Sequence, residues 1–336
     1  MNLKIAVLMP ENDTKSIFIT PKVKEKLAEL GDVSYNDTVY KPEVMRDMLA
    51  DADVCVTGWG CPSLNAEILS KASKLKLVMH TGGSVAPIVS PELFERNIKV
   101  ISGNELYAES VAEGTLAYIL AGLRRLTYFN NTVHAGGWRD GKFSNRGLLD
   151  RKIGLVGYGA ITRYLVPMLK VFRADIMLFS RHMSEEDCKK LGMTRAESLE
   201  QLCSECDVIS LHQAKTKATY HMITKELIKM MPDDTVLVNT ARGSVIDEEA
   251  LTDELMTGRI SAVLDVFNEE PLPPDSKLRG LENVILIPHM AGPTGDRYEN
   301  VSLALIEDVK RMFAGEPLEL EIDAAYAVRM TNDILK

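Results

Sequence analysis

Short apolar runs alternate with helical patterns along the whole chain. Runs over 4–8, 33–35, 54–57, 77–80 and 99–101 are rich in Val, Ile, Leu and Met and are bounded by turn or charged residues. They read as buried strands of a parallel sheet. Helical patterns fall between them: 21–30, with Pro21 in the first turn and Gly31 past the end, and 64–72. A long apolar helix is expected from about 108 to 128, followed by an aperiodic loop over 134–140. A second series of runs then appears at 152–156, 175–179, 208–211, 235–238, 262–264 and 284–287. Asp247 is placed to cap a helix over 248–257 that Gly258 ends. A last pattern, 296–313, sets Val301, Leu305, Val309 and Met312 on one face. This order predicts an α/β protein with a flavodoxin-like first domain and a Rossmann-type, doubly wound parallel sheet in the second.

The second series opens on a recognisable turn. Lys152-Ile153-Gly154-Leu155-Val156 leads through Gly157-Tyr158-Gly159 into Ala160-Ile161-Thr162. Glycines 157 and 159 let the backbone turn tightly and approach a pyrophosphate, which then sits at the helix N-terminus. Thr162 stands where the fingerprint has its third glycine, so a small shift of that helix is expected. The next strand ends on Ser180-Arg181. A carboxylate at that tip would hold the ribose 2′-OH of NAD. A hydroxyl and a guanidinium suit a 2′-phosphate instead. NADP(H) is therefore favoured over NAD, and with it reduction as the working direction.

Three later strands each deliver one polar residue to a carboxyl end: Arg242 after Asn239-Thr240-Ala241, Glu270 after Asp265-Val266-Phe267, and His289 after Pro288. Open α/β sheets bind ligands at those ends. Arginine grips a carboxylate through a bidentate fork. Histidine moves protons near neutral pH, and a glutamate beside it keeps it protonated. The set suits reduction of a small 2-keto acid to a 2-hydroxy acid.

These spacings resemble the D-isomer-specific 2-hydroxyacid dehydrogenase family over essentially the whole chain. The resemblance rests on Val111-Ala112-Glu113, Gly137-Trp138, the 157–159 turn, Ser210-Leu211-His212, Asn239 to Gly243 with Asp247, Asp265-Val266-Phe267 with Glu270-Pro271, and Pro288-His289 with Gly292. It implies Arg242 as substrate anchor, Glu270 as partner of the histidine and His289 as acid/base. It also implies that the last helix returns to complete the first domain. The expected division is then 1–103 with 293–336 for substrate and 104–292 for the dinucleotide. Expected cofactor contacts are Gly157, Tyr158, Gly159, Ala160, Ile161, Ser180, Arg181, His212, Thr240, Ala241, Asp265 and His289. Asp265 would hold the nicotinamide carboxamide. Gly114, Thr162 and Ala214 depart from the family pattern without touching the three catalytic positions.

The substrate side is open. Gly82, Gly83, Ser84 and Val85 follow a strand and offer successive N–H groups, a nest for an anion. In the family the matching loop holds the substrate carboxylate, with Arg242 bridging carboxylate and carbonyl oxygen. Trp59, after the preceding strand, either closes over a small acid or simply packs. Glyoxylate, hydroxypyruvate and larger keto acids all remain.

Composition narrows the classes. The net charge of −9, spread along the sequence, disfavours a nucleic-acid partner. No apolar run is long enough for a membrane span, and the first ten residues read as a strand rather than a signal, so the expected compartment is the cytoplasm. The five cysteines suit reducing surroundings. Cys203 and Cys206 form a C-x-x-C with no second pair and are read as structural, with no metal expected. A homodimer is the family expectation. Two other classes stay in view: a dinucleotide-sensing scaffold similar to the C-terminal binding proteins, disfavoured by the absence of long flanking extensions, and a formate- or phosphite-type dehydrogenase.

Overall fold

The computed structural model describes residues 2–139 and 144–331, so Asp140 of the expected 134–140 loop lies outside the described residues. The chain divides into two compact units, Met1–Tyr107 with Pro293–Lys336, and Ala108–Gly292.

The first unit is built on five parallel strands: β1 (Leu3–Val7), β2 (Gly31–Tyr35), β3 (Val54–Thr57), β4 (Leu77–His80) and β5 (Lys99–Ser102). Their order is β2-β1-β3-β4-β5, the flavodoxin-like arrangement, with its switch point between β1 and β3. Strands β3 and β4 are buried at every position, so they carry continuous apolar runs rather than alternation. The helix Tyr298–Ala314 lays Val301, Leu305, Ile306 and Val309 into the core beside Ile5, Val7 and Met79. It is stopped by Gly315 in the left-handed region. The pattern expected as a helix over 64–72 forms only a 3₁₀ turn, Ile68–Lys71. There Leu64 N–H bonds Ile88 O, which holds the segment's start as loop.

The second unit holds seven parallel strands: β6 (Lys152–Val156), β7 (Asp175–Phe179), β8 (Thr194–Arg195), β9 (Val208–Leu211), β10 (Val236–Asn239), β11 (Ser261–Leu264) and β12 (Val284–Leu286). The order is β12-β11-β10-β9-β6-β7-β8, a Rossmann-type sheet reversing direction between β6 and β9. Two apolar layers cover its faces, one around Leu202, Ile209 and Leu237, the other around Leu155, Leu165 and Val263. All five cysteines are buried and unpaired, and among the described residues no His, Cys, Asp or Glu cluster is arranged for a metal.

The helix expected over 108–128 is two helices, Asn104–Arg124 and Leu126–His134, broken at Arg125, whose φ is +52°. No Gly or Pro marks that break; the Arg125 guanidinium lies 4.1 Å from the Tyr128 ring centroid and stabilises the turn. Among the described residues no helix is long and apolar enough to cross a membrane.

Candidate active site

Arg242, Glu270 and His289 come together at the carboxyl ends of β10, β11 and β12. Asn239, the last residue of β10, shapes the first corner: its Nδ2 donates to Arg242 O at 3.0 Å and its Oδ1 accepts from Ala241 N at 3.0 Å. Thr240 is tied to Thr115 across 3.0 Å between hydroxyls. Arg242 Nη1 donates to Ala241 O at 2.7 Å.

Gly243 explains why glycine must follow that arginine. A Cβ there would lie 2.0 Å from Phe267 C and 2.4 Å from Asn268 N. The peptide leading to Glu270 therefore packs directly on the backbone of the arginine turn. Any side chain would wedge the two apart.

His289 Nδ1 stands 2.8 Å from Glu270 Oε2. The other carboxylate oxygen, Oε1, accepts from Phe267 N at 3.0 Å. The hydrogen bond to Glu270 raises the His289 pKa above its usual value, against partial burial and the Arg242 charge. Burial pushes Glu270 up, but the His289 bond, the Phe267 amide and the His289 and Arg242 charges leave it below the usual glutamate value. Both shifts favour the ionic form of the pair. His289 also has φ +56°, uncommon for a residue with a Cβ and typical of functional corners. The imidazole is about half exposed, at 47 % for the side chain, so Nε2 is open to a substrate.

Asp265 holds that corner. Its buried carboxylate accepts from Met290 N at 2.7 Å, Ala291 N at 3.1 Å and Tyr118 OH at 3.3 Å, while its backbone O accepts from His289 N at 2.9 Å. Burial raises its pKa, opposed by the amide bonds. The expected role on the nicotinamide carboxamide would use what acceptor capacity these bonds leave. Gly114 belongs to the same packing: a Cβ there would meet Ala291 O at 3.0 Å, so a larger residue would push on the histidine's loop.

The dinucleotide end turns on Gly157 and Gly159. Gly157 has φ +106°, and a Cβ on it would come within 3.0 Å of His212 O and Gln213 Nε2. Nothing lies within 4 Å of the corresponding point on Gly159, so the approach to the N-terminus of helix Ala160–Val171, with Tyr158, Ala160 and Ile161 beside it, is open. Thr162, where the fingerprint has a glycine, ties off the helix start: its Oγ1 accepts from Gly159 N at 2.7 Å and donates to Gly159 O. These features fit a bound pyrophosphate. Ser180 is buried at the tip of β7, its Oγ accepting from His182 N at 3.3 Å, and Arg181 is exposed. His212 shares a 2.9 Å bond between Nε2 and Ser210 Oγ; its Nδ1 is buried with no partner among the described residues, and burial lowers its pKa to about 4.

In the first unit the backbone N–H groups of Gly82, Gly83, Ser84 and Val85 donate no hydrogen bond among the described residues. The loop carrying them is otherwise pinned: Gly103 N donates to Gly82 O, Ser102 Oγ to Gly83 O, and Ser84 Oγ to Thr331 O. Trp59 lies against it, since a Cβ on Gly82 would come 3.0 Å from the indole. The ring is held edge-on by Phe18, Tyr107 and Tyr298 at centroid distances of 5.1, 6.1 and 6.0 Å, and stays 42 % exposed.

Tyr118, Glu248 and the packing role of Gly243 were not legible beforehand. Their partners lie about 20 to 150 residues away, and no short spacing announces such contacts.

Residues 116–291 match the family described as D-isomer specific 2-hydroxyacid dehydrogenase, NAD binding domain. The chain is 32 % identical over 294 residues to D-3-phosphoglycerate dehydrogenase of Methanocaldococcus jannaschii, covering 87 % of this chain and 56 % of that one. Against the phosphoglycerate dehydrogenases it matches first, it spans about half their length. Glyoxylate reductase of Korarchaeum cryptofilum is 30 % identical over 311 residues, with 89 % and 93 % covered. Among solved structures, a phosphoglycerate oxidoreductase from Rhizobium etli superposes with a TM-score of 0.80 at 25 % identity, over 95 % of this chain and 98 % of that one.

Proposed function

Because the chain belongs to the D-isomer specific 2-hydroxyacid dehydrogenase family, we propose that it reduces a small 2-keto acid to the D-2-hydroxy acid, with NADP(H) preferred over NAD(H). The observation that carries this reading is the His289–Glu270 bond of 2.8 Å, with Arg242 close enough to act on the charge of both.

A bound nicotinamide supplies hydride to the carbonyl carbon. His289 does the proton work: with Nδ1 engaged by Glu270, Nε2 is left to protonate the carbonyl oxygen. Glu270 keeps the ring charged until that transfer and fixes its orientation. Arg242 offers a planar fork for the carboxylate and the carbonyl oxygen, and it favours the negative charge that develops there. Within the first unit, the open amides of residues 82–85, with Trp59 beside them, are suited to hold an anion.

Cofactor choice rests on Ser180 and Arg181. A charge-assisted contact to a 2′-phosphate contributes about 1.5–3 kcal/mol, which corresponds to roughly a 10- to 100-fold preference in kcat/KM. We further assign the enzyme to the cytoplasm, as a homodimer, with no nucleic-acid or membrane partner. The helix Leu126–His134 buries none of its residues and exposes Leu126 and Val133, which suits a face covered by a second copy.

Steady-state turnover of glyoxylate, hydroxypyruvate, phosphohydroxypyruvate and branched or aromatic 2-keto acids, each with NADPH and NADH at one ionic strength, tests the proposal. Absence of turnover on every keto acid, with tight dinucleotide binding, would favour the scaffold class instead.

A further inference from the structure

Glu270 reaches His289 from a turn, and the turn needs an anchor. Its two leading amides point to different carboxylates. Phe267 N donates to Glu270 Oε1 at 3.0 Å, and the next amide, Asn268 N, donates to Glu248 Oε2 at 2.8 Å. Glu248 is the first residue of helix Glu248–Met256, directly after Asp247, whose side chain caps that helix by accepting from Ala250 N. The peptide between the two amides is the one pressed onto Gly243. The turn is thus held from below by backbone contact and from the side by a glutamate on a capped helix.

We propose that Glu248 is a positioning residue for the Glu270–His289 pair, fixing through Asn268 the turn from which Glu270 reaches the histidine. This rests on the dehydrogenase reading only for its kinetic consequence.

The geometry supports this anchoring. Glu248 is half-buried and rigidly placed, since helix start, cap and acceptor bond all constrain it. Burial raises its pKa, and Glu270 raises it further, so the two carboxylates feel each other. The charged groups facing His289 are Glu270, Arg242 and Asp265; those facing Glu270 are His289, Arg242 and Glu248. Within this set Arg242 disfavours the imidazolium and the carboxylates favour it. Loosening the turn would draw Glu270 away from His289 and so lower the imidazole's pKa.

Two variants separate anchoring from charge. Glu248→Gln keeps an acceptor for Asn268 N–H but loses the charge. Its kcat for reduction should stay within about twofold of wild type, with the pH profile in place. Glu248→Ala loses both, and kcat should fall roughly 10- to 100-fold through misplacement of Glu270, with dinucleotide affinity nearly unchanged. A ¹⁵N-imidazole titration of His289 reads the same pKa without turnover, and thermal unfolding confirms that each variant is folded. If Glu248→Ala keeps wild-type kcat and leaves the His289 titration where it was, or Glu248→Gln loses as much as Glu248→Ala, the proposal is overturned. Should wild-type protein reduce no keto acid, the dehydrogenase reading fails while the titration still decides Glu248.

Discussion

The two glycine-bearing corners of this molecule use glycine for opposite purposes. At Gly243 the missing side chain brings two backbones into contact, so that the arginine turn and the turn leading to Glu270 behave as one body. At Gly82 and Gly83 the backbone is pinned through its carbonyls while its amides stay unpaired among the described residues. The first corner has its polar groups satisfied internally and is set for chemistry. The second keeps donors in reserve for something anionic. Catalytic power and substrate affinity should therefore break separately when each corner is altered.

The largest effect is expected at His289. His289→Gln should lower kcat by roughly 10²–10⁴-fold and leave the dinucleotide Kd almost untouched; retention of a tenth of wild-type turnover would remove the histidine from proton transfer. Next comes Arg242→Lys, which keeps the charge but not the fork. A loss of about 10- to 100-fold in kcat/KM is expected, and near-normal efficiency would refute bidentate binding. Comparable in size, Ser180→Asp with Arg181→Ala should invert the NADPH/NADH preference; a wild-type enzyme that already prefers NADH would show Arg181 to be a solvated side chain.

The other corner gives the contrasting prediction. Gly82→Ala puts a Cβ 2.5 Å from His80 Nε2 and against the indole of Trp59, so the loop must move. KM for the keto acid should rise about tenfold with kcat and cofactor affinity nearly constant. A fall in kcat alone would mean that the loop does not bind substrate. The smallest effect is a shift rather than a loss. Glu270→Gln removes the partner that raises the His289 pKa. Reduction requires the imidazolium, so activity should decline at lower pH than in wild type, and an unchanged pH–rate profile would make Glu270 merely structural.

Much of this was readable in the chain because strand ends and turns are local. The runs at 54–57 and 77–80 coincide with β3 and β4 because fully buried strands carry uninterrupted apolar residues. The 157–159 turn is legible because only glycine takes φ +106° cheaply. What escaped is tertiary. β8 is two residues long and leaves no pattern. Arg125 breaks a helix at φ +52° without any breaker residue to announce it. Thr162 looked like a lost glycine, yet its hydroxyl caps the helix in a way that glycine has no atoms to do. Gly114 likewise is a packing residue, matched to Ala291 far along the chain.

Asp265 carries a consequence in time rather than in geometry. Its buried carboxylate holds the amides of Met290 and Ala291, and its carbonyl holds that of His289. Opening this segment would strand a charge away from water, at a cost of several kcal/mol. The proposed proton donor thus rides on a segment tied down through three amides, which should exchange with solvent only on the timescale of unfolding the sheet itself. Whatever must move for substrate to enter or product to leave, the histidine waits in place for it.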